Sequence, residues 1–381
     1  MVIKNHKFLF ALATMVGTVV GVGIFGIPFA LSQSGFFVGV FYLVFIGLFV
    51  LFIHLAYLEI ILRTNESHRL VGYASKYLGR GAKKLATLVV LVEYYGSLLA
   101  YVIIGGEFLG LIFSRWLNLP DFFWSLLFFA LGAAAIFLGL KTVARSEFFM
   151  TALLLFVMGL LAFKGGSGVA LENLLTFDAS KFFLPYGIIL FSLAGSVAVP
   201  EVRQIMIGEE RKIKKAVVWG TIIPAVIYFV FAWVVLGVSG AETSREAIKG
   251  LIPFLGPEVI LIGAVFGILA IFTSFTVLGL NLKRVYQLDW RLKKNISFLL
   301  ACAVPLVLFL AGLKNFILII GFLGVVAGGL DSILTVLIYL RAKKQGDRRP
   351  EFSLKWGRLW AGLAILLFSL GIIYQFVYWV G

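Results

Sequence analysis

Residues 17–35 read GTVVGVGIFGIPFALSQSG and lie inside the first long apolar run of a 381-residue chain. Gly17, Gly21, Gly23 and Gly26 fall in this stretch, followed by Pro28. An interior glycine costs a helix about 1 kcal/mol relative to alanine, and an interior proline about 3 kcal/mol. A proline in a first helical turn costs little, because its missing N–H has no partner to lose. The stretch therefore reads as two half-helices, one stopping near the glycines and the other starting near the proline.

The surroundings make this a break within a membrane helix. Of all residues 61% are hydrophobic and only 13% charged, and the mean hydropathy is +1.06, whereas soluble domains are about 25% charged. About 20 apolar residues cross a bilayer. Eleven segments meet that length or come close to it: 8–34, 36–62, 85–114, 122–140, 146–163, 182–206, 216–238, 257–282, 296–312, 315–340 and 357–379. They are numbered here as spans one to eleven. Backbone in lipid must satisfy its own hydrogen bonds, so the spans are helices. The expected class is an all-α integral membrane protein forming a single transmembrane domain over 1–381. The first apolar run follows Lys4 and Lys7 as a signal peptide would. It is too long for one and has no small-x-small cleavage site, so it is expected to be retained.

The net charge of +15 does not mark a nucleic-acid binder, because the basic residues fall in short loops rather than on one folded face. With the N-terminus in the cytoplasm, 27 of the 33 Lys and Arg residues lie on inner segments and six on outer ones. This bias orients the chain with its N-terminus inside and its C-terminus outside. Cys302 is the single cysteine, so no intrachain disulfide forms. His6, His54 and His68 are scattered, with no clustering of the kind an enzyme's triad or metal site needs. No selectivity filter or charged ring suggests a channel.

Two segments outside the spans carry their own expectations. RLVGYASKYLGRGAKK (69–84) mixes apolar and basic residues as an interfacial helix does. Thr243 or Ser244 ahead of REAIKGLI caps an expected short surface helix in the outer loop 239–256.

Span six has a composition like that of span one. LPYGIILFSLAGSVAVPEVRQIM (184–206) places Ser192, Ala194, Gly195 and Ser196 before Pro200. Five spans precede it, so span one runs outward and span six inward, in inverted halves. Interrupted helices at corresponding positions of two halves point to a transport site at mid-membrane. Freed carbonyls there suit a cation, and a new helix start suits an anion. An α-amino acid carries both charges. A single glycine-rich span could equally serve close helix packing, but paired breaks in inverted positions favour a binding site.

Several strings resemble a known family. GVGIFGIPFALSQSGF, YLEIILRTNESHRLVGYASKYLGRGAKKL, YGSLLAYVIIGGEFL and FSLAGSVAVPEVRQIM together resemble the amino acid/auxin permease family of the amino acid–polyamine–organocation superfamily. FTSFTVLGL in span eight brings its aromatic amino acid permease branch nearest. The resemblance implies the leucine-transporter fold, with 8–163 and 182–340 as inverted repeats and 357–379 as an additional helix. It also implies secondary active import of an amino acid, driven by Na+ or H+, with no other cofactor. The pocket candidates named below are small or aliphatic apart from Phe191, which favours a neutral substrate, aromatic ones included. A sensor on the same fold is the alternative.

The resemblance further implies a residue set. The substrate carboxylate would meet the first break (Val19, Gly21, Val22, Gly23). The amino group would meet Phe191, Ser192, Leu193, Ala194 and Gly195, and Val197 or Leu278 would line the side-chain pocket. A sodium ion would sit on the carbonyls of Gly17, Val20 and Ala270 and the hydroxyls of Thr273 and Ser274. The spacing 270-x-x-273-274 puts these span-eight groups on one face, although Thr and Ser in membrane helices also bond back to their own carbonyls. Carboxylates within spans are functional candidates by default. Asp331 lies ten residues before Arg341, about 15 Å along a helix, and Glu93 and Glu107 fall in span three. These three are the candidates for proton coupling. His54 is expected as a hydrogen-bonded packing residue, and Glu59 and Glu201 as partners of Arg63 and Arg203. Span five has no lysine of the kind some proton-driven relatives use in place of sodium, which tilts the expectation slightly toward Na+.

Overall fold

The computed structural model describes residues 7–113, 116–139, 153, 156–157, 159–160, 163–288 and 290–380. The described chain is all helix and loop. Eight helices among these residues are long and apolar enough to cross a membrane, and a bent pair makes one more span. Lys294–Leu310 is a shorter apolar helix at the position of span nine. Ten of the eleven expected spans are thus accounted for, while 146–163 falls largely outside the described residues.

Lipid exposure follows the helical period. On Phe36–Arg63 the exposed residues Phe37, Phe41, Val44 and Leu48 form one apolar stripe, while Ile46, Ala56, Leu58 and Ile60 on other faces are fully buried. Among the spans of the described residues Gly357–Val380 is the most peripheral, with 17% of its apolar window buried. It packs on span ten and, to a smaller extent, on span two.

Span one is Lys7–Val19 followed by Gly23–Ser34, bent by 51° at the glycines. Pro28 lies five residues inside the second half-helix rather than at its first turn, so the restart comes earlier than the proline suggests. The chain then turns at Gly35, whose φ of +111° is open to glycine. Span six is Leu184–Leu193, a 3-10 turn Ser196–Ala198, and Val199–Ile205 with Pro200 in its first turn. The expected break at 191–195 lies further on, because Phe191, Ser192 and Leu193 remain helical and Ala194 is the first extended residue.

Span ten changes pitch midway. Phe316–Phe322 leads into a π-helical stretch, Leu323–Gly328, before Gly329–Gln345 resumes the α form. This stretch crosses the first half of span six with backbone against backbone. A Cβ on Gly324 would lie 2.7 Å from the Gly187 carbonyl carbon and 2.8 Å from Phe191 N.

The remaining segments differ in detail from the sequence expectation. The amphipathic segment is a helix only over Leu70–Leu78; Gly79 ends it, and Arg80 already begins span three. The outer loop forms short turns instead of one helix. Ser244 accepts from Gly250 N at 2.9 Å, closing a loop in which Ala247 has a φ of +65°.

Candidate functional site

The breaks of spans one and six meet each other. A Cβ on Gly23 would collide with Ser192, lying 2.8 Å from its Cα, and a Cβ on Gly195 would collide with a Val19 methyl. Glycine is what lets these two backbones approach so closely. In the first break, Gly21 N–H bonds Val19 O at 2.9 Å, instead of the Gly17 carbonyl that a continuous helix would offer it. The second half-helix starts at Gly23 without a side-chain cap, so its first N–H groups point into the break.

Tyr228 of span seven (Glu210–Ser239) joins the two breaks. Its hydroxyl donates toward Val19 O at 2.8 Å and Ser192 O at 2.9 Å, and the residue is completely buried. One proton therefore serves the last carbonyl of the first half-helix and one in the final turn of the other. Tyr101 of span three also reaches the first break. Its hydroxyl lies 2.9 Å from where a Cβ on Gly21 would stand, and it also hydrogen-bonds Ser274. Neither tyrosine carries a signal in the sequence, since a lone tyrosine in an apolar helix resembles any other packing aromatic. Phe25, in the first turn of the restarted helix, packs edge-on against Phe108 and Phe231 at 4.8 and 6.2 Å.

A cavity of about 420 Å³ opens beneath the sixth-span break, within the range of about 300–1,000 Å³ typical of small-molecule sites. Ala194, Gly195, Ser196 and Val197 form its roof, with Leu190, and His54 and Tyr57 of span two flank it. Glu93 of span three and Asp331 of span ten face it together, with Asn281 and Arg284 of span eight. Among the described residues neither carboxylate makes an ion pair. Arg69 also lines the cavity, donates to Val197 O at 3.4 Å and pairs with Glu201. These groups lie on the side that carries the inner basic loops.

The other expected residues lie elsewhere. Val19 and Gly23 touch the sixth-span break and Gly21 faces Tyr101, but none of Val19 to Gly23 lines the cavity. Ala270, Thr273, Ser274 and Leu278 lie on span eight (Pro257–Leu288), which packs on spans three, four and nine, whereas the first half of span one packs on spans six and seven. Thr273 Oγ1 donates to Ala270 O at 2.9 Å, and Ser192 Oγ to Ile188 O at 2.6 Å, so both hydroxyls bond back to their own helices. Glu107 lies toward the outer loop, near Glu246, Lys249 and Arg245 rather than Glu93. Glu59 pairs with Arg63 at 2.7 Å as its spacing suggests. Glu201 instead pairs with Arg69, because Arg203, two residues on, faces away and meets Glu210 at 3.2 Å.

Two broken helices held break to break over a cavity define the class, a membrane carrier. Two solved transporters share the fold. One is MhsT in complex with L-phenylalanine, with a TM-score of 0.64 at 18% identity, matching 96% of this chain and 98% of that one. The other is Mhp1, a nucleobase-cation-symport-1 family transporter in a closed conformation with bromovinylhydantoin bound, with a TM-score of 0.67 at 13% identity over 96% and 89% of the two chains. The chain belongs to the tryptophan/tyrosine permease family, whose model matches residues 4–377. Glutamine transporter 2 of Aliivibrio fischeri is 24% identical over 97% of this chain and all of its own length. Tyrosine-specific transport systems 1 and 2 of Haemophilus influenzae are 25% and 27% identical, over 94% and 96% of this chain and 92% and 95% of their own lengths. The protein is thus a multi-pass permease of the cell membrane and not an enzyme.

Proposed function

We propose that this permease is a secondary active importer of a neutral amino acid, aromatic ones included, coupled to a cation and working by alternating access. The reading places the family within the wider amino acid/auxin permeases. It takes 8–163 and 182–340 as the inverted repeats and 357–379 as an added helix. The observation that carries it is the contact between the two breaks, bridged by Tyr228 and opening on the inner cavity. The carboxylate faces the restart at Gly21–Gly23, where the uncapped start of the helix at Gly23 and its positive end favour an anion. Tyr101 approaches that restart from span three. The ammonium faces the carbonyl end of Leu184–Leu193, and Phe191, Val197 and Leu278 supply apolar wall.

The coupling ion in this reading is sodium, bound by Gly17, Val20, Ala270, Thr273 and Ser274 when spans one and eight close on each other. Gly17 O supports it, since the bend withdraws the N–H that would otherwise cover that carbonyl. A specific observation favours protons as the second reading: Glu93 and Asp331, without ion-pair partners among the described residues, face one cavity. Uptake of a labelled amino acid panel into proteoliposomes, with sodium and pH gradients imposed separately, tests both. Accumulation driven by one gradient assigns the ion. Equilibration without accumulation under either gradient refutes coupling, and substrate binding without any flux is the result expected of a sensor.

A further inference from the structure

His54 in span two is fully buried, and its Nδ1 lies 2.9 Å from Thr221 Oγ1 on span seven. The Thr221 hydroxyl donates in turn to Val217 O at 2.9 Å. A hydroxyl has one proton to give. With that proton on Val217 O, Thr221 accepts from the imidazole, so the ring carries its hydrogen on Nδ1 and leaves Nε2 as a bare acceptor.

That acceptor has no partner among the described residues. It sits at the sixth-span break, where a Cβ on Gly195 would lie 3.6 Å from Nε2 and 3.4 Å from Cε1. The ring also belongs to the cavity wall beside Ala194 and Gly195. A buried acceptor without a donor is a standing cost to the fold. The neighbouring Val19 and Ser192 carbonyls are acceptors too, with Tyr228 the side-chain donor they share. Acceptors gathered at the end of a broken helix suit a ligand group that brings several N–H donors and a positive charge.

We propose that His54 Nε2 accepts a hydrogen bond from the α-ammonium group of the transported amino acid, which makes span two part of the substrate site. The inference rests on the proposed function, in which the amino group lies at the sixth-span break. Gly195 is then the residue that keeps the imidazole within reach, since any side chain there would cover it.

The test uses the full-length protein in nanodiscs with L-tyrosine, L-tryptophan, L-phenylalanine and L-glutamine as probes. Saturable binding is measured on wild type, His54→Phe and His54→Gln. Nitrogen NMR of the imidazole is recorded in a His6→Gln/His68→Gln background, which leaves His54 as the only histidine. We expect a probe that binds to shift the Nε2 resonance. Its des-amino carboxylic acid should leave the resonance unmoved. His54→Phe should weaken binding about tenfold or more, and His54→Gln, which keeps an acceptor, should restore most of it. A bound probe with an unmoved resonance, or unchanged affinity in His54→Phe, overturns the inference and leaves the transport reading standing. An equal shift with the des-amino acid also overturns it, because the donor is then a backbone N–H of the rearranged break. Absence of binding by all four probes refutes the substrate reading and the inference with it. The resonance of the wild-type ring decides the matter even where His54→Phe fails to fold.

Discussion

Replacing Tyr228 by Phe removes one oxygen from the centre of the protein and leaves the ring in place. The hydroxyl it removes donates toward Val19 O and Ser192 O, both buried between half-helices. The variant therefore loses one shared proton and leaves two carbonyls short of a donor. A donor lost from a buried acceptor costs about 1–3 kcal/mol. Val19 O still accepts from Gly21 N–H at 2.9 Å, so the cost should fall in the lower half of that range. The hydroxyl holds the two breaks together before substrate arrives. Without it, binding must supply that order itself, and 1–2 kcal/mol corresponds to about a five- to thirty-fold loss of affinity. The assay is equilibrium binding of labelled L-tyrosine, or of whichever panel amino acid binds wild type best. Thermal unfolding in detergent, with and without that amino acid, reports the cost to the fold. The expected pattern is a modest loss of stability without ligand and a larger loss of ligand-induced stabilisation. Equal or tighter binding by Tyr228→Phe would refute the reasoning, because the hydroxyl would then be competing with substrate for the same carbonyls.

Other outcomes follow from the same geometry. Gly23→Ala presses a Cβ to 2.8 Å from Ser192 Cα; overpacking of about 1–3 kcal/mol predicts uptake lowered several-fold or more in a protein that still purifies as one species. Gly362→Ala, with open space around it, should transport as wild type. If sodium drives uptake, Thr273→Ala/Ser274→Ala should abolish the response to a sodium gradient while Glu93→Gln and Asp331→Asn retain it; proton coupling reverses that pattern, and flux measurements under each gradient decide. In the inner loop, Lys76 at 2.6 Å and the Asn65 N–H hold the Asp347 carboxyl below its ordinary value of 3.8. A lowered folded-state pKa stabilises above the ordinary value, and the contribution is lost as pH falls through the depressed one. The thermal-stability gap between wild type and Asp347→Asn should therefore hold near neutrality and close as acid protonates Asp347; a gap that widens with acid contradicts the assignment.

The breaks were legible in the sequence because glycine and proline act on the backbone where they stand. Their register was less so. Span six stays helical through Leu193, since the serine in its last turn tolerates either conformation and tertiary packing decides. Asp331 and Glu93 could be named as intramembrane carboxylates, but their convergence on one cavity depends on the packing of spans three and ten. The partner of Glu201 shows the limit of local spacing: Arg203 is two residues away, yet Arg69 reaches it from 132 residues earlier. Tyr228, Tyr101 and His54 act through groups brought together by the fold, and single residues in uniformly apolar helices leave no periodic trace.

The crossing at Gly187 and Gly324 has a consequence for following the protein in motion. Two rods that touch through bare backbone have no side chain to flex between them, so they can turn about the contact more readily than they can part. Motion of span six against span ten would then resemble the blades of a pair of scissors. Spectroscopic probes placed on the two helices outward of the crossing and probes placed inward of it would approach together and separate together. The two distances would change with the same sign in each transport cycle, whereas a tilt of one rod on the other would change them with opposite signs.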